Sequence, residues 1–185
     1  MTDYNENKVY VIDDTFPTFL ENFHEQEMTV YPMQFGHQTE GTYDYHFFGK
    51  SLFERGKDPN DVPTTVVNLK EAIKAICGGL DKDGKFDGIW RVHVNGQTAG
   101  MKAGPHTDVD GDKESWTAVY FVNDSDGDLQ FYKSKTDLTP TECIPFKRGR
   151  LVMFPSVFCH EALPPTRPWR VTIGVCFHFR SILNK

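Results

Sequence analysis

The sequence has no apolar run approaching the roughly 20 residues that cross a bilayer. It also lacks a basic excess: 20 Lys and Arg stand against 26 Asp and Glu, a formal charge of −6. A membrane span and a nucleic-acid footprint, which needs clustered basic residues, are therefore not expected. Cysteine is scarce. Its four copies, Cys77, Cys143, Cys159 and Cys176, show no CxxC spacing, which argues against a disulfide scaffold or a zinc staple. The stretch from residue 1 to residue 10 has neither the basic nor the apolar part of a signal peptide. Reduced thiols and a cytoplasmic location are the expectation. Internal repeats, low-complexity tracts and a linker between two cores are lacking too. What remains is 185 residues, one domain at about 150 residues each, enough to bury a core without a covalent or metal staple.

The chain changes character once, near Gly78-Gly79. Before that point, residues 9–12 read as a short strand. Pro17 can open a helix running to about Glu27, with Phe19, Leu20 and Phe23 on its apolar side. Residues 31–38 and 43–48 are aromatic and extended. Residues 68–77 put Leu69, Ala72, Ile73 and Ile76 at helical spacing, with Gly78-Gly79 as the stop. Beyond it, short apolar runs at 89–94, 117–122, 129–132, 151–154, 158–162 and 170–179 alternate with Asp-Gly, Asn-Asp-Ser and proline-rich connections. That is the chemistry of strands joined by turns. The expectation is a mainly β chain with flanking helices (α+β), its strands forming a sandwich or jelly roll. One domain spans 1–185: residues 1–87 supply helices and supporting strands, and 88–180 form the working β core.

Three Asp-rich turns, at 81–84, 110–112 and 126–128, resemble pieces of calcium loops. With their glycines set at position six of an EF-hand, the loops would begin at Gly79, His106 and Val122, and none of these is an acid or amide. Solvated hairpin turns are the better reading.

The informative stretch is Gly104-Pro105-His106-Thr107-Asp108. In an extended segment, residues i and i+2 point to the same side, so His106 and Asp108 can offer an imidazole and a carboxylate to one metal ion. Alone, a turn-edge histidine beside a solvated aspartate is the plainer account. His160 changes the balance, because two His and one carboxylate make the facial triad that leaves positions open on Fe(II). Arg170 heads a strand ten residues later and Thr172 follows at i+2. The proline-rich link between His160 and Arg170 suits a tight connection of adjacent strands rather than a helix. A planar guanidinium can clamp a carboxylate with two parallel hydrogen bonds, and a neighbouring hydroxyl can add a third.

The set His106-x-Asp108, His160 and Arg170-x-Thr172 resembles the 2-oxoglutarate- and Fe(II)-dependent dioxygenases, and within them the prolyl-4-hydroxylase-like branch with its small bacterial and phage-type members. Residues 116–123 are similar to that branch's apolar strand ending in Asn. Residues 126–131 resemble its Gly-Gly-Glu-type hairpin, with Asp126 in place of the first Gly, and residues 147–155 resemble the segment before its second His. The resemblance runs from residue 89 to residue 179, with a weaker echo at 9–17.

It implies a double-stranded β-helix core (jelly roll, cupin-like) with the metal at its open end. His106, Asp108 and His160 would bind Fe(II), and Arg170 would hold the distal carboxylate of 2-oxoglutarate, assisted by Thr172. No catalytic side chain beyond the metal centre is implied. O2 would complete the reaction, with ascorbate as accessory reductant. Oxidative decarboxylation of 2-oxoglutarate to succinate and CO2 would be coupled to C–H hydroxylation, of a prolyl residue in a peptide or protein by preference, or of a small molecule. Related halogenases lack the carboxylate, so Asp108 favours hydroxylation. The chain departs from the branch in four places. Arg170 stands where collagen-type enzymes have Lys, and His93 where many relatives have Tyr, which makes it a candidate cosubstrate contact. Ala103 and Leu129 replace a common Tyr and Thr.

Other features have ordinary accounts beside sharper ones. The loop at 96–104 is a candidate substrate lid or a long hairpin connection, and it lacks the Gly-Lys-Ser/Thr ending of a phosphate cradle. Trp116 and Trp169 border the pocket or simply pack. Arg167 is a solvated loop residue or a contact for an acidic substrate. Cys159 and Glu161 flank His160 and face away from it. His24, His37, His46 and His178 have no spacing partner that lifts them above ordinary surface or core histidines. Two other functions use the same scaffold: a zinc hydrolase with a metal-bound water, which leaves Arg170 and Thr172 without a role, and a cupin-like binding module without catalysis.

Overall fold

Strand alternation decides which way each side chain faces, and β10 (Arg170–Phe179) shows the consequence most clearly. Val171, Ile173, Val175 and Phe177 face one side and join a core with Val92 and Val94 of β4 (Phe86–Gln97). Arg170, Thr172, Gly174 and Cys176 face the other and line a cavity.

The computed structural model describes residues 8–37, 46–55, 62–80 and 86–179. Its remaining elements are β1 (Tyr10–Ile12), α1 (Thr18–Thr29), β2 (Gln34–His37), β3 (Phe47–Glu54), α2 (Thr64–Leu80), β5 (Ser115–Phe121), β6 (Leu129–Tyr132), β7 (Pro140–Ile144), β8 (Leu151–Pro155) and β9 (Cys159–Ala162). Seven strands form one antiparallel sheet in the order β1-β8-β5-β10-β4-β3-β2, and three form a second in the order β7-β6-β9. Both helices cover the large sheet's outer face, where Met28, Leu69 and Ile73 pack against Val92, Ile173 and Val175. A smaller cluster around Phe121, Phe131 and Phe154 fills the space between the sheets. This is the expected double-stranded β-helix with helices outside. No helix among the described residues is long and apolar enough to cross a membrane.

Local physics sets the helix ends. Pro17, with φ −58°, precedes the first turn of α1, where a missing N–H costs nothing. The Glu27 carboxylate of α1 accepts the Thr64 and Thr65 N–H groups at 3.0 and 2.7 Å. An acid from one helix thereby caps the positive end of the other.

The structure corrects several sequence expectations. The inward face of α1 is Glu21, His24 and Met28, whereas Phe19 and Phe23 are 69% and 41% exposed. The helical period was legible, but polar residues with specific partners hold the inward side. His24 lies between the Tyr120 hydroxyl (3.2 Å) and the Asn68 amide (3.1 Å). Helix α2 runs to Leu80, through Gly78-Gly79 rather than stopping there. The extended run at 43–48 belongs to β3, which continues to Glu54; residues 43–45 lie outside the described residues, as does the turn at 81–84. Strand β7 was missed, because its first four positions, Pro140 among them, are all exposed and give it no alternation to read.

The Asp126 turn is a tether rather than a solvated hairpin. Its carboxylate accepts the N–H groups of Thr166 (2.8 Å) and Arg167 (3.1 Å) and the Thr166 hydroxyl. Gly127, at φ +84°, lies so close to the proline-rich link that a Cβ would meet the Leu163 carbonyl at 2.5 Å.

Candidate active site

Two histidines from different parts of the chain meet backbone to backbone. His106 and His160 form an isolated antiparallel bridge, with N–H to carbonyl distances of 2.9 and 2.8 Å. Gly104 turns the chain into this position at φ +76°, a conformation glycine takes without steric cost. The Gly104 carbonyl accepts a 2.9 Å bond from His106 Nδ1, and the Phe158 carbonyl accepts one of the same length from His160 Nδ1. With Nδ1 protonated, each ring presents its Nε2 lone pair inward, the usual orientation of a metal-ligating histidine.

Asp108 lies beside both rings. His106 Nε2 is 4.0 Å from Oδ1 and His160 Nε2 is 3.7 Å from Oδ2. The ligand atoms of the three residues all lie within 4.8 Å of one another, a grouping that can hold a metal ion. The carboxylate is itself held: Thr117 Oγ1 donates to Oδ2 at 2.6 Å, and Arg91 Nη2 is 3.5 Å from Oδ1. Burial pulls the His106 pKa down to about 4, with His160 repelling the added charge and Asp108 opposing. For Asp108, burial pushes the pKa up, but His160, His106, Thr117 and Arg91 outweigh it and hold the group below its ordinary value. Near neutral pH the trio therefore offers a neutral imidazole at His106 and an ionised carboxylate.

These residues open on a cavity of about 250 Å³. Its floor is the inner face of β4 and β10, paired as Arg170 with Gln97, Thr172 with Asn95, Gly174 with His93 and Cys176 with Arg91. Arg170 is 2% exposed. Its Nη1 donates to Gln97 Oε1 at 2.6 Å, and its guanidinium carbon lies 4.9 Å from the Phe146 ring centroid. Its Nε has no hydrogen-bond partner among the described residues, and no carboxylate among them lies within ion-pair distance of it. Burial lowers its pKa to about 10, against the more distant pull of Asp128 and Asp126. A guanidinium so placed still carries its proton near neutral pH. A buried cation without an acid costs several kcal/mol by order of magnitude, so this arrangement calls for an anion from outside.

The sequence profile of the 2OG-Fe(II) oxygenase superfamily matches residues 90–178, the segment that carries the trio and Arg170. The chain belongs to that superfamily. It resembles in fold a Pseudomonas putida prolyl-4-hydroxylase at 16% identity, TM-score 0.70, covering 94% of each chain. It also matches a Trichoplax adhaerens prolyl hydroxylase in complex with a hypoxia inducible factor peptide fragment at 15% identity and TM-score 0.68, covering 94% of this chain and 84% of that one. A non-heme alpha-ketoglutarate-dependent epimerase from nogalamycin biosynthesis matches at 12% identity and TM-score 0.68, over 95% and 81%. No curated protein sequence matches the chain.

An oxygenase of this superfamily uses Fe(II), 2-oxoglutarate and O2, and the side chains fit them. Two Nε2 atoms and an ionised carboxylate suit a divalent metal, and an acid-free buried guanidinium suits a dicarboxylate. The hydrolase and binding-module readings give way. Of the other expected residues, Thr172 and His93 do line the oxygenase cavity. Cys159 borders a different depression, and Glu161 accepts the Tyr132 hydroxyl. Trp116 is core, and Trp169 packs against the outer face over Gly96. Arg167 is an exposed part of the Asp126 tether. The loop at 96–104 is tied down by Gln97 to the Met101 carbonyl (3.0 Å) and Gly100 N–H to the Pro165 carbonyl (2.8 Å). These bonds make it an anchored connection. Sequence reading missed Arg91, Gln97 and Thr117. The signal was present on β4, where Arg91, His93, Asn95 and Gln97 fall at a period of two.

Proposed function

We propose that His106, Asp108 and His160 hold Fe(II), that Arg170 pairs with the distal carboxylate of 2-oxoglutarate with Thr172 beside it, and that His93 contributes to the cosubstrate wall. The whole chain acts as one domain, residues 1–87 bracing residues 88–180. The reaction consumes 2-oxoglutarate and O2, releases succinate and CO2, and places one oxygen atom of O2 in a substrate C–H bond and the other in succinate. The substrate is a prolyl residue in a peptide or protein, a choice supported by the prolyl hydroxylases among the fold relatives.

The observation that carries this reading is Arg170, a 2% exposed guanidinium on the cavity floor without an acid among the described residues. The bound metal would supply the redox chemistry. The chain's own part is to orient it, with Gly104 and Phe158 carbonyls fixing the imidazole faces and Thr117 fixing the carboxylate.

The test is an anaerobic titration of metal-free protein with Fe(II) and 2-oxoglutarate, watching for the weak visible charge-transfer band of a chelated 2-oxo acid. The wild type should develop the band and Arg170→Ala should weaken it. Bound iron without a band in the wild type would overturn the cosubstrate assignment.

A further inference from the structure

The cavity has a second guanidinium that the proposed reaction does not use. Arg91 lies on the same inner face of β4 as Gln97, six residues away, or roughly 20 Å along the strand at the usual rise. Its side chain is 29% exposed and lines the cavity beside Asp108, whereas Arg170 is deeply buried. The two cations lie at opposite ends of the cavity lining that β4 and β10 supply, and Arg91 is the one beside Asp108.

The acid Arg91 meets in the cavity is Asp108, which it shares with the two histidines. Asp108 is the carboxylate within 4 Å of it among the described residues, at 3.5 Å through one nitrogen only. The same nitrogen donates to Cys176 Sγ at 3.2 Å, and burial keeps that sulfur a neutral thiol, its pKa pushed up to about 12. Glu54 pairs with Arg91 in register across β3 and its charge also acts on the guanidinium, but it does not line the cavity. In the loaded site a divalent metal and two guanidiniums bring four positive charges, while Asp108 and the 2-oxoglutarate dianion return three. Among the groups that line the cavity one positive charge is left, and Arg91 is the more exposed of the two guanidiniums.

We propose that Arg91 receives a carboxylate of the substrate. This rests on the reading of the site as a 2-oxoglutarate oxygenase and narrows its substrate to one that presents a carboxylate beside the target C–H bond. The cavity offers no counterpart for an ammonium group: among the described residues that line it, Asp108 is the sole acid, and it is committed to the trio. Within the prolyl reading, the same chemistry comes from two sources, a small free acid or the C-terminal carboxylate of a peptide that ends in proline. With about 250 Å³ to hold cosubstrate and target together, either source puts the carboxylate close to the reacting carbon.

The experiment is calorimetric binding, without O2, to the protein loaded with Mn(II) and 2-oxoglutarate. The probes are N-acetylproline, its neutral amide, and a Pro-terminated tetrapeptide in free-acid and amidated forms. The wild type should bind acids at least about 10-fold more tightly than amides, the scale of one charge-assisted pair. Arg91→Gln should lose that preference, and Arg91→Lys should keep part of it. Because Arg91 also contacts Asp108, each variant is first saturated with Mn(II) and 2-oxoglutarate, and the quantity compared is the acid-to-amide ratio within one protein. Preference for N-acetylproline identifies a small acid, and preference for the tetrapeptide acid identifies a peptide terminus. Equal binding of acid and amide by the wild type overturns the proposal whether or not the variants fold. So does a preference that survives Arg91→Gln, or a loaded protein that binds none of the carboxylates. Failure of 2-oxoglutarate itself to bind would instead bring down the underlying reading, and that is seen before any probe is added.

Discussion

The two faces of the β4–β10 pair are built on opposite chemistry. On the helix side, Val92, Val94, Ile173 and Val175 are fully buried and apolar. On the cavity side, Arg170 and Thr172 are 2% and 4% exposed and polar. Apolar burial stabilises the fold directly. Polar burial destabilises it unless each group finds a partner, and on the cavity side part of that partnership is missing from the protein. The lesson is that one face of these strands folds the chain and the other is completed by what the chain binds.

The sharpest way to break that comparison is Arg170→Met. Removing one partner of a buried charged pair costs about 2–5 kcal/mol, so affinity for 2-oxoglutarate should fall by about 100-fold or more. The melting temperature of the ligand-free protein should hold or rise, because an uncompensated buried charge is gone. Calorimetric 2-oxoglutarate binding and a thermal melt read the two quantities. A large loss of melting temperature with unchanged affinity would mean that Arg170 is structural. Three residues along the same strand, Ile173→Ala should do the reverse. Truncating a buried Ile costs about 2–5 kcal/mol, read by urea unfolding. The folded fraction should bind 2-oxoglutarate with wild-type affinity.

How much of this was legible in the sequence follows the same division. The strands of the β core were readable because apolar residues at a period of two announce a buried face, and the ligand trio because His-x-Asp and a later His before a proline-rich link are a rare combination. Arg170 was readable as a guanidinium at the head of a strand. Its lack of an acid partner was not, since that depends on what the fold brings near it. Arg91 was passed over because its partners, Asp108 and Cys176, lie 17 and 85 residues away. The α1 face was misread for a related reason: Glu21 and His24 look like surface residues until Tyr120 and Asn68 arrive from distant elements.

His24 is a polar exception on the apolar side, and pH sharpens the contrast. It is fully buried, and that burial lowers its pKa from 6.5 to about 4, Glu27 opposing weakly. Between those values the unfolded chain binds the proton and the folded one does not, so unfolding gains as pH falls. The contribution is intact above pH 6.5 and lost progressively towards pH 4, amounting to about 3 kcal/mol at 1.36 kcal/mol per pKa unit. Unfolding free energies at pH 7.5, 6 and 5 should decline for the wild type and decline less for His24→Gln. Parallel lines for the two proteins would remove His24 from the account. His106 moves in the same direction in the metal-free protein, and it is common to both curves.

The smallest effects come from two strand glycines that face opposite ways. Gly96 of β4 faces the helix side, where an added Cβ would lie 2.5 Å from Trp169 and 2.9 Å from Met33. Gly174 of β10 faces the cavity, where an added Cβ would meet nothing within 4 Å. The first glycine is required by packing and the second leaves room. Gly96→Ala should therefore cost about 1–3 kcal/mol of stability, as overpacking does, with little change in cosubstrate affinity. Gly174→Ala should leave stability unchanged or raise it by up to about 1 kcal/mol, since alanine gives up less chain entropy on folding. It should also weaken 2-oxoglutarate several-fold, because its methyl group enters the space between Arg170 and the ligand trio. Unfolding curves and cosubstrate titrations on the two variants give four numbers. If Gly174→Ala binds 2-oxoglutarate as the wild type does, the cosubstrate does not lie across this rung, and the path from Arg170 to Asp108 has to run along Thr117 and Val119 of β5 instead.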